Sequence, residues 1–437
     1  MRFSPRLSRP QINTGQRLTT MGRFFLAILL VALLEGAIRK WISPSLTIPL
    51  VLLRDSLAAA GTIWAVMYGQ FRPSSQSFRL MLGWTSFLVL WGLVQLMLNQ
   101  HSPIAYLIGL RFWLLYLWFA VAAAQCLTSN DFRVIVRTLI LIVILTTPLI
   151  ILQFYSSPGA FINRQVDGDE EKVFRLTADF VRTSGLFSFT AGQTTFLAIA
   201  TPVVLASLFG DSPFSKGRLL PVLAFLALGL CTMLSGSRAA LAMFILIFAP
   251  AILLQLRLAG NRQLAKNILM ILLGLSIVIC IPLLLPSALE ATTERITSAS
   301  ESESLPDRLL SMFLGEPGTF DQLTFLGHGL GMSSNFIGQL AGTQFALGET
   351  EAARVLQEGG GAGFLLTFIK VAFLSLTGWR ALWIAHRHKK TLPLLLWIPM
   401  AIGILTWPLI GQLTANALGC LLIGLELAAL RLQRKKT

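Results

Sequence analysis

The chain alternates long apolar runs with polar breaks, and the length of the runs decides the reading. Runs at 21–41, 45–69, 78–98, 103–127, 132–155, 187–209, 217–234, 238–256, 266–286, 360–384, 391–409 and 411–430 lie close to the roughly 20 residues that carry an α-helix across a bilayer. They predict an all-α polytopic membrane protein of about twelve transmembrane helices. Most breaks are short. Two are long, 156–186 and 287–359, and loops beyond about 15 residues are more often functional than plain connectors. The expected organisation is an N-terminal segment 1–20, helices one to nine over 21–286 with the loop 156–186, a large loop 287–359, helices ten to twelve over 360–430, and a basic tail 431–437. The first run follows basic residues but continues past Glu35 to Trp41 without a small-residue cleavage site, so it reads as a retained span.

Within the second long loop, "ESESLPDRLLSMF" has the spacing of a short amphipathic helix, "GHGLGMSSNF" reads as turn, and "ETEAARVLQEGGGAGF" as a short helix that meets glycines before the next span.

Composition agrees with the pattern: 54% of residues are hydrophobic and 13% charged, against about 25% charged in soluble domains. The net charge of +15 changes the picture only through its placement. Alternate turns carry Arg72 and Arg79, Arg133, Lys216 and Arg218, Arg257 and Arg262, then Arg387, Lys389 and Lys390. The positive-inside rule then predicts cytoplasmic termini and accounts for the charge without a nucleic-acid partner. Acidic residues collect in the two long loops, which therefore face outward. The four cysteines are isolated and give no disulfide or metal pattern. "DGD" at 167–169 reads as solvated acidic loop, and His386 and His388 belong to a basic turn, so no metal and no cofactor are expected.

Charged groups inside spans cost roughly 2.5 to 3.5 kcal/mol on insertion scales, so they usually face the bundle interior or a wet cavity. Glu35 and Arg39, Arg54 and Asp55, and Arg111 all fall in the outward halves of their helices, with Arg111 roughly 12 Å below the surface at 1.5 Å per residue. They suggest an outward polar pocket. The plainer reading makes Arg39 and Lys40 interfacial snorkellers beside Trp41 and leaves Arg54 and Asp55 as structural pairs. Lys370 is the exception, mid-span, and reads as a buried pair or a pocket floor.

"MLSGSRAALAMF" (233–244) interrupts an apolar stretch twice the length of one span. Ser235, Gly236 and Ser237 must turn the chain there, with Ser237 as N-cap and Arg238 in the first helical turn. Unpaired backbone N–H groups, the positive end of the helix dipole and a guanidinium then make an outward anion site. The plainer reading is a snorkelling arginine beside a routine serine cap.

"SGSRAALAMFIL", then a span, a long outward loop and "ETEAARVLQEGGGAGFLLTF", resembles the bacterial O-antigen ligase and Wzy-type polymerase family of membrane glycosyltransferases. "EGAIRKWISPSLTIPLVLLRD" (35–55) and "VRTSGLFSFTAGQTTFLA" (181–198) resemble its exopolysaccharide polymerase branch. The resemblance implies a GT-C-like helical bundle in the bacterial inner membrane, a polyprenyl-diphosphate-linked glycan as donor, transfer on the outward face, and no metal. A flippase and a chain-length regulator are the partners such a system implies. The family's serine-arginine motif maps onto Ser237 and Arg238, and its outer-loop arginine onto Arg182. The histidine that ligases carry shortly before the glutamate of the closing segment is absent: Glu349 and Thr350 stand there, and His328 lies too far upstream. Glu349 or Glu351 is left as the general base.

Arg238, Glu349 and Arg182 are thus the expected catalytic residues. Ser237, Arg354, Arg111, Arg54, Arg39, Glu351 and Glu358 are the expected substrate-binding ones. The plainer reading of 351–358 is a solvated helix with an ordinary Glu351–Arg354 pair. Polymerisation of lipid-linked repeat units is the first functional reading, ligation of a finished glycan to another acceptor the second, and transport or flipping the third. The third would place charges at the midplane of two similar halves.

Overall fold

The computed structural model describes residues 17–99, 102–166, 180–209, 219–258, 304–334, 348 and 350–434, with isolated positions at 337 and between 268 and 293. The described residues form a helical bundle without a β-strand. The helices are α1 (Thr20–Trp41), α2 (Thr47–Met67), α3 (Gln76–Asn99), α4 (Pro103–Leu110), α5 (Tyr116–Cys126), α6 (Ser129–Tyr155), α7 (Thr190–Leu208), α8 (Leu219–Leu234), α9 (Arg238–Leu258), α10 (Leu305–Leu314), α11 (Glu351–Gly359), α12 (Gly361–His388), α13 (Leu392–Thr406) and α14 (Leu413–Arg434). A π-helical turn, Arg111–Leu115, joins α4 to α5 in one continuous span.

Among the described residues, nine spans are long and apolar enough to cross a membrane, and α8 and α13 are shorter apolar helices. Eleven of the expected runs are therefore helices in the expected places. The twelfth, 266–286, lies mostly outside the described residues, as do the "DGD" loop and Glu349.

Burial sorts the spans. Of the most apolar part of each, 89% is buried in α7 and 83% in α14 but only 22% in α2 and in α3, so α7 and α14 form the centre and α2 and α3 the rim. The rim shows leucines and isoleucines outward, such as Leu52, Ile63 and Leu90, as it must against hydrocarbon.

The helices alternate in direction, so one end of the bundle carries Arg72, Arg79, Arg133 and Arg387 and the other carries α10 and α11. We call these the basic end and the loop end. At the basic end one buried carboxylate ties two helix starts together: Asp131 takes the Thr19 backbone N–H and hydroxyl at 2.8 Å each and closes a capping box with Thr128 on α6. A carboxylate beside two helix N-termini answers their unpaired N–H groups and their dipoles.

The described parts of the large loop fold as their sequence predicts. Ser304 caps α10, whose start matches the amphipathic segment, and "EAARVLQEG" (351–359) supplies α11, ended at Gly360 with φ 53°. Glycine in the "GHGLG" turn has a packing reason: Gly331 sits at φ 90° with its backbone against Ala105 and Gly109, and a Cβ at Gly109 would collide with Leu330 and Gly331. Gly109→Ala should therefore cost about 1–3 kcal/mol through overpacking, read as a lowered thermal midpoint in detergent. Gly83→Ala, whose added carbon meets nothing within 4 Å on α3, should be neutral or gain up to about 1 kcal/mol. Equal midpoints for the two variants would deny the close approach.

Candidate functional site

The loop end contains a layer of polar groups that gathers most of the residues expected from sequence. Its first part is a chain of buried ion pairs. Arg54, 0% exposed, gives a 2.6 Å bond to Glu35 Oε2 and a 2.9 Å bond from Nε to the Tyr116 hydroxyl. Tyr116 donates at 2.7 Å to Asp55, which receives Arg111 through two bonds of 2.7 and 2.8 Å. Arg39 reaches Glu35 at 3.4 Å along α1. Three guanidiniums thus share two carboxylates, and the Nε of Arg39 and one terminal nitrogen of Arg111 are buried without a hydrogen-bond acceptor.

The π turn explains why Arg111 and Tyr116 serve the same aspartate. Residues five apart lie about 140° apart around an α-helix, whereas i→i+5 turns bring them over one another. The Arg111 guanidinium also covers the faces of Phe112 and Tyr116 at 4.5 and 5.4 Å.

The second part is the turn that carries Arg238. The chain reverses at Ser235–Ser237 with Gly236 at φ 58°, and Ser237 Oγ accepts the Ala240 N–H at 3.3 Å, which makes it the N-cap of α9 as expected. Arg238 is half-buried and has no hydrogen-bond or ion-pair partner among the described residues.

The loop holding Arg182 packs on this turn. Thr183 donates to the Leu234 carbonyl at 3.2 Å, and Thr194 on α7 donates to the Ser237 hydroxyl at 3.1 Å. Gln153 clamps Gly185 through two bonds, one to its N–H at 2.8 Å and one to its carbonyl at 3.2 Å.

Lys40 joins from α1. Its ammonium donates to Ser184 Oγ at 3.0 Å and to the Gly185 carbonyl at 2.8 Å, 2% exposed and 4.7 Å from the Trp41 ring. The snorkelling alternative for Lys40 is therefore wrong: Gly36, one turn earlier, lets α1 press against the backbone of 186–188, and that contact roofs Lys40 over. Lys40 was not singled out by sequence because nothing local distinguishes it from Arg39.

The third part is α11. The solvated-helix alternative for 351–358 fails too, because Glu351, Arg354 and Glu358 are 1%, 7% and 0% exposed. Glu351 does not pair with Arg354. It takes Lys370 Nζ at 2.5 Å on one oxygen and the Ile410 N–H at 3.0 Å on the other, which supplies the missing partner for Lys370. Arg354 gives its protons to the Gly348 and Ser333 carbonyls, each at 3.1 Å. Glu358 accepts from Trp113 Nε1 at 3.0 Å, from the Ser333 N–H at 2.8 Å and from the Ser333 hydroxyl.

These three side chains fasten the 326–334 turn and the 407–413 connection to the bundle. The layer is continuous, since Arg54 also reaches the Leu413 carbonyl at 3.4 Å and Asn416 reaches the Phe112 carbonyl at 2.9 Å.

Burial pushes the Glu358 carboxyl above its ordinary 4.5, against the opposing pull of its hydrogen-bond donors. A carboxyl raised on folding binds its proton more tightly in the folded chain. The stability it contributes is complete below about pH 4.5 and is lost as pH rises through the raised value. Glu358→Gln should flatten that part of the thermal midpoint measured against pH. A slope unchanged from the parent would show that Glu358 does not titrate there.

One buried acid escaped the sequence reading. Glu426, in the lower half of α14, is 0% exposed with both carboxyl oxygens unpartnered among the described residues. The signal was present, since Glu426 is a lone charge in an apolar span. Among the described residues no group of three or more metal-ligating side chains comes together. Compared with protein-family models, curated proteins and solved structures, the chain matches none of them.

Proposed function

We propose that the chain is a membrane glycosyltransferase that polymerises oligosaccharide repeat units carried on a polyprenyl diphosphate. The observation that carries this reading is the joint between the 181–185 loop and the 235–238 turn. Two threonine contacts, Thr183 to the Leu234 carbonyl and Thr194 to the Ser237 hydroxyl, hold Arg182 and Arg238 on neighbouring elements beside the N-terminus of α9. Arg238 keeps its donors available.

In this reading the acceptor hydroxyl of one repeat unit attacks the anomeric carbon of the next. The new glycosidic bond forms as the bond to the diphosphate oxygen breaks, and negative charge grows on the leaving group. Preorganised donors in a low-dielectric layer stabilise that charge where it develops. Arg238, Ser237 and the α9 N-terminus are assigned that role, with Arg182 beside them. Lys40 positions the 184–185 segment.

The hydroxyl proton passes to a carboxylate base, a contribution of about 10²- to 10⁴-fold. Glu349 is the sequence candidate, and it lies outside the described residues. Glu351 is the weaker choice because both its oxygens are taken. Arg39, Arg54, Arg111, Arg354, Glu351 and Glu358 are assigned supporting roles in binding the glycan.

The reading brings with it a GT-C-like bundle, a bacterial inner membrane, both termini in the cytoplasm, a loop end facing outward, and a flippase and a chain-length regulator as partners. The test is the length of glycan on polyprenyl carrier in cells lacking the chain. Single repeat units stranded on lipid are expected. Full-length chains still on lipid would overturn polymerisation in favour of ligation.

A further inference from the structure

An apolar cavity of about 1090 Å³ opens on the flank of the bundle, between α3, α5, α12 and α14. It exceeds the roughly 300–1,000 Å³ of drug-sized sites. Its walls are side chains such as Trp84, Leu117, Phe373 and Leu427, and its polar lining sits at its two ends.

At the loop end stands the Glu351–Lys370 pair, closed on itself at 2.5 Å and therefore neutral as a unit. At the basic end stand Gln125, Arg380 and Arg431. Arg380 lies ten residues beyond Lys370 on α12, about 15 Å further along the helix at 1.5 Å per residue. It is exposed and has no partner among the described residues. Arg431 donates to the Leu127 carbonyl through one terminal nitrogen, and its Nε is buried without an acceptor. No acidic side chain lines the basic end.

We propose that this cavity holds an anionic phospholipid from the leaflet on the basic side, its phosphate on Arg380 and Arg431 and its acyl chains running up towards the Glu351–Lys370 pair. Basic pockets between transmembrane helices bind such head groups, because each arginine near the surface attracts an anionic lipid. Long apolar walls select chains rather than a soluble anion.

The charge placement also separates this occupant from a prenyl diphosphate entering from the loop end. That head group would meet a lysine already neutralised by Glu351, whereas the guanidiniums that no described carboxylate pairs lie at the opposite mouth. The inference stands without the proposed transferase activity, and its test does not read that activity.

The full-length protein is placed in nanodiscs of equal phosphatidylglycerol and phosphatidylethanolamine, with polyprenyl diphosphate added as competitor. The lipid retained on release is identified by native mass spectrometry. Retention of phosphatidylglycerol is expected. Arg380→Ala should lower it about fivefold and Arg380→Ala with Arg431→Ala about 25-fold. Ala124→Phe, which fills the cavity wall and leaves both arginines, should lower it as well. Arg380 is exposed, so its variant folds. Equal retention of the two phospholipids, retention unchanged in Arg380→Ala, or displacement by the polyprenyl competitor would each overturn the proposal.

Discussion

Arg238→Ala is expected to abolish polymer while the chain still inserts and elutes as a single species in detergent. Removing one preorganised donor to a developing oxyanion costs about 10²- to 10³-fold in rate. The loss at Arg238 should reach at least that, because the donor removed is a charged guanidinium. Arg238 is half-buried at the first turn of α9, its turn is fixed by Ser237 and Thr194, and no described side chain depends on it for a partner. The variant therefore isolates chemistry from folding. Repeat-unit ladders on gels of lipid-linked glycan give the readout, and a normal ladder would remove Arg238 from the proposed site. Arg238→Lys, which keeps the charge and loses the planar fork, should recover only part of the activity.

The largest effect on stability is expected at Arg54. Its guanidinium is fully buried and bonded to Glu35 and Tyr116, and Tyr116 in turn holds Asp55. Arg54→Ala leaves Glu35 as a buried carboxylate with only Arg39, at 3.4 Å, to answer it. Breaking a buried pair from one side costs about 3–5 kcal/mol. Arg54→Met combined with Glu35→Leu removes both charges and keeps the volume, and such replacements are often neutral or stabilising. Thermal midpoints by fluorescence-detected size exclusion should thus fall for Arg54→Ala and recover in the double variant. A double variant as unstable as the single would show that packing around Arg54, rather than its charge pairing, holds the two helices together.

The sequence by itself determined the helical class, the positions of eleven described helices and the turn at 235–237, because each of these depends on local pattern. Run length against bilayer thickness sets the spans, and a serine before an apolar run sets the cap. It also located the costly charges, since a charged residue in an apolar run is visible wherever it points.

Only the tertiary structure decided whom those charges meet. The partner of Lys370 is Glu351, on α11 nineteen residues earlier, and a span of apolar sequence carries no mark of that pairing. The dense charges of 351–358 leave a solvated helix as the plainer alternative to a binding segment in the sequence. In the fold the segment lies under the 326–334 turn, with every charge answered by a backbone or side-chain group. Lys40 and Arg39 are adjacent and alike in sequence, and the close approach of α1 at Gly36 to the 186–188 backbone buries one and leaves the other part-exposed. Tyr116 joins Arg111 at Asp55 only because a π turn shifts the register between them, a change in backbone geometry that side-chain periodicity does not encode.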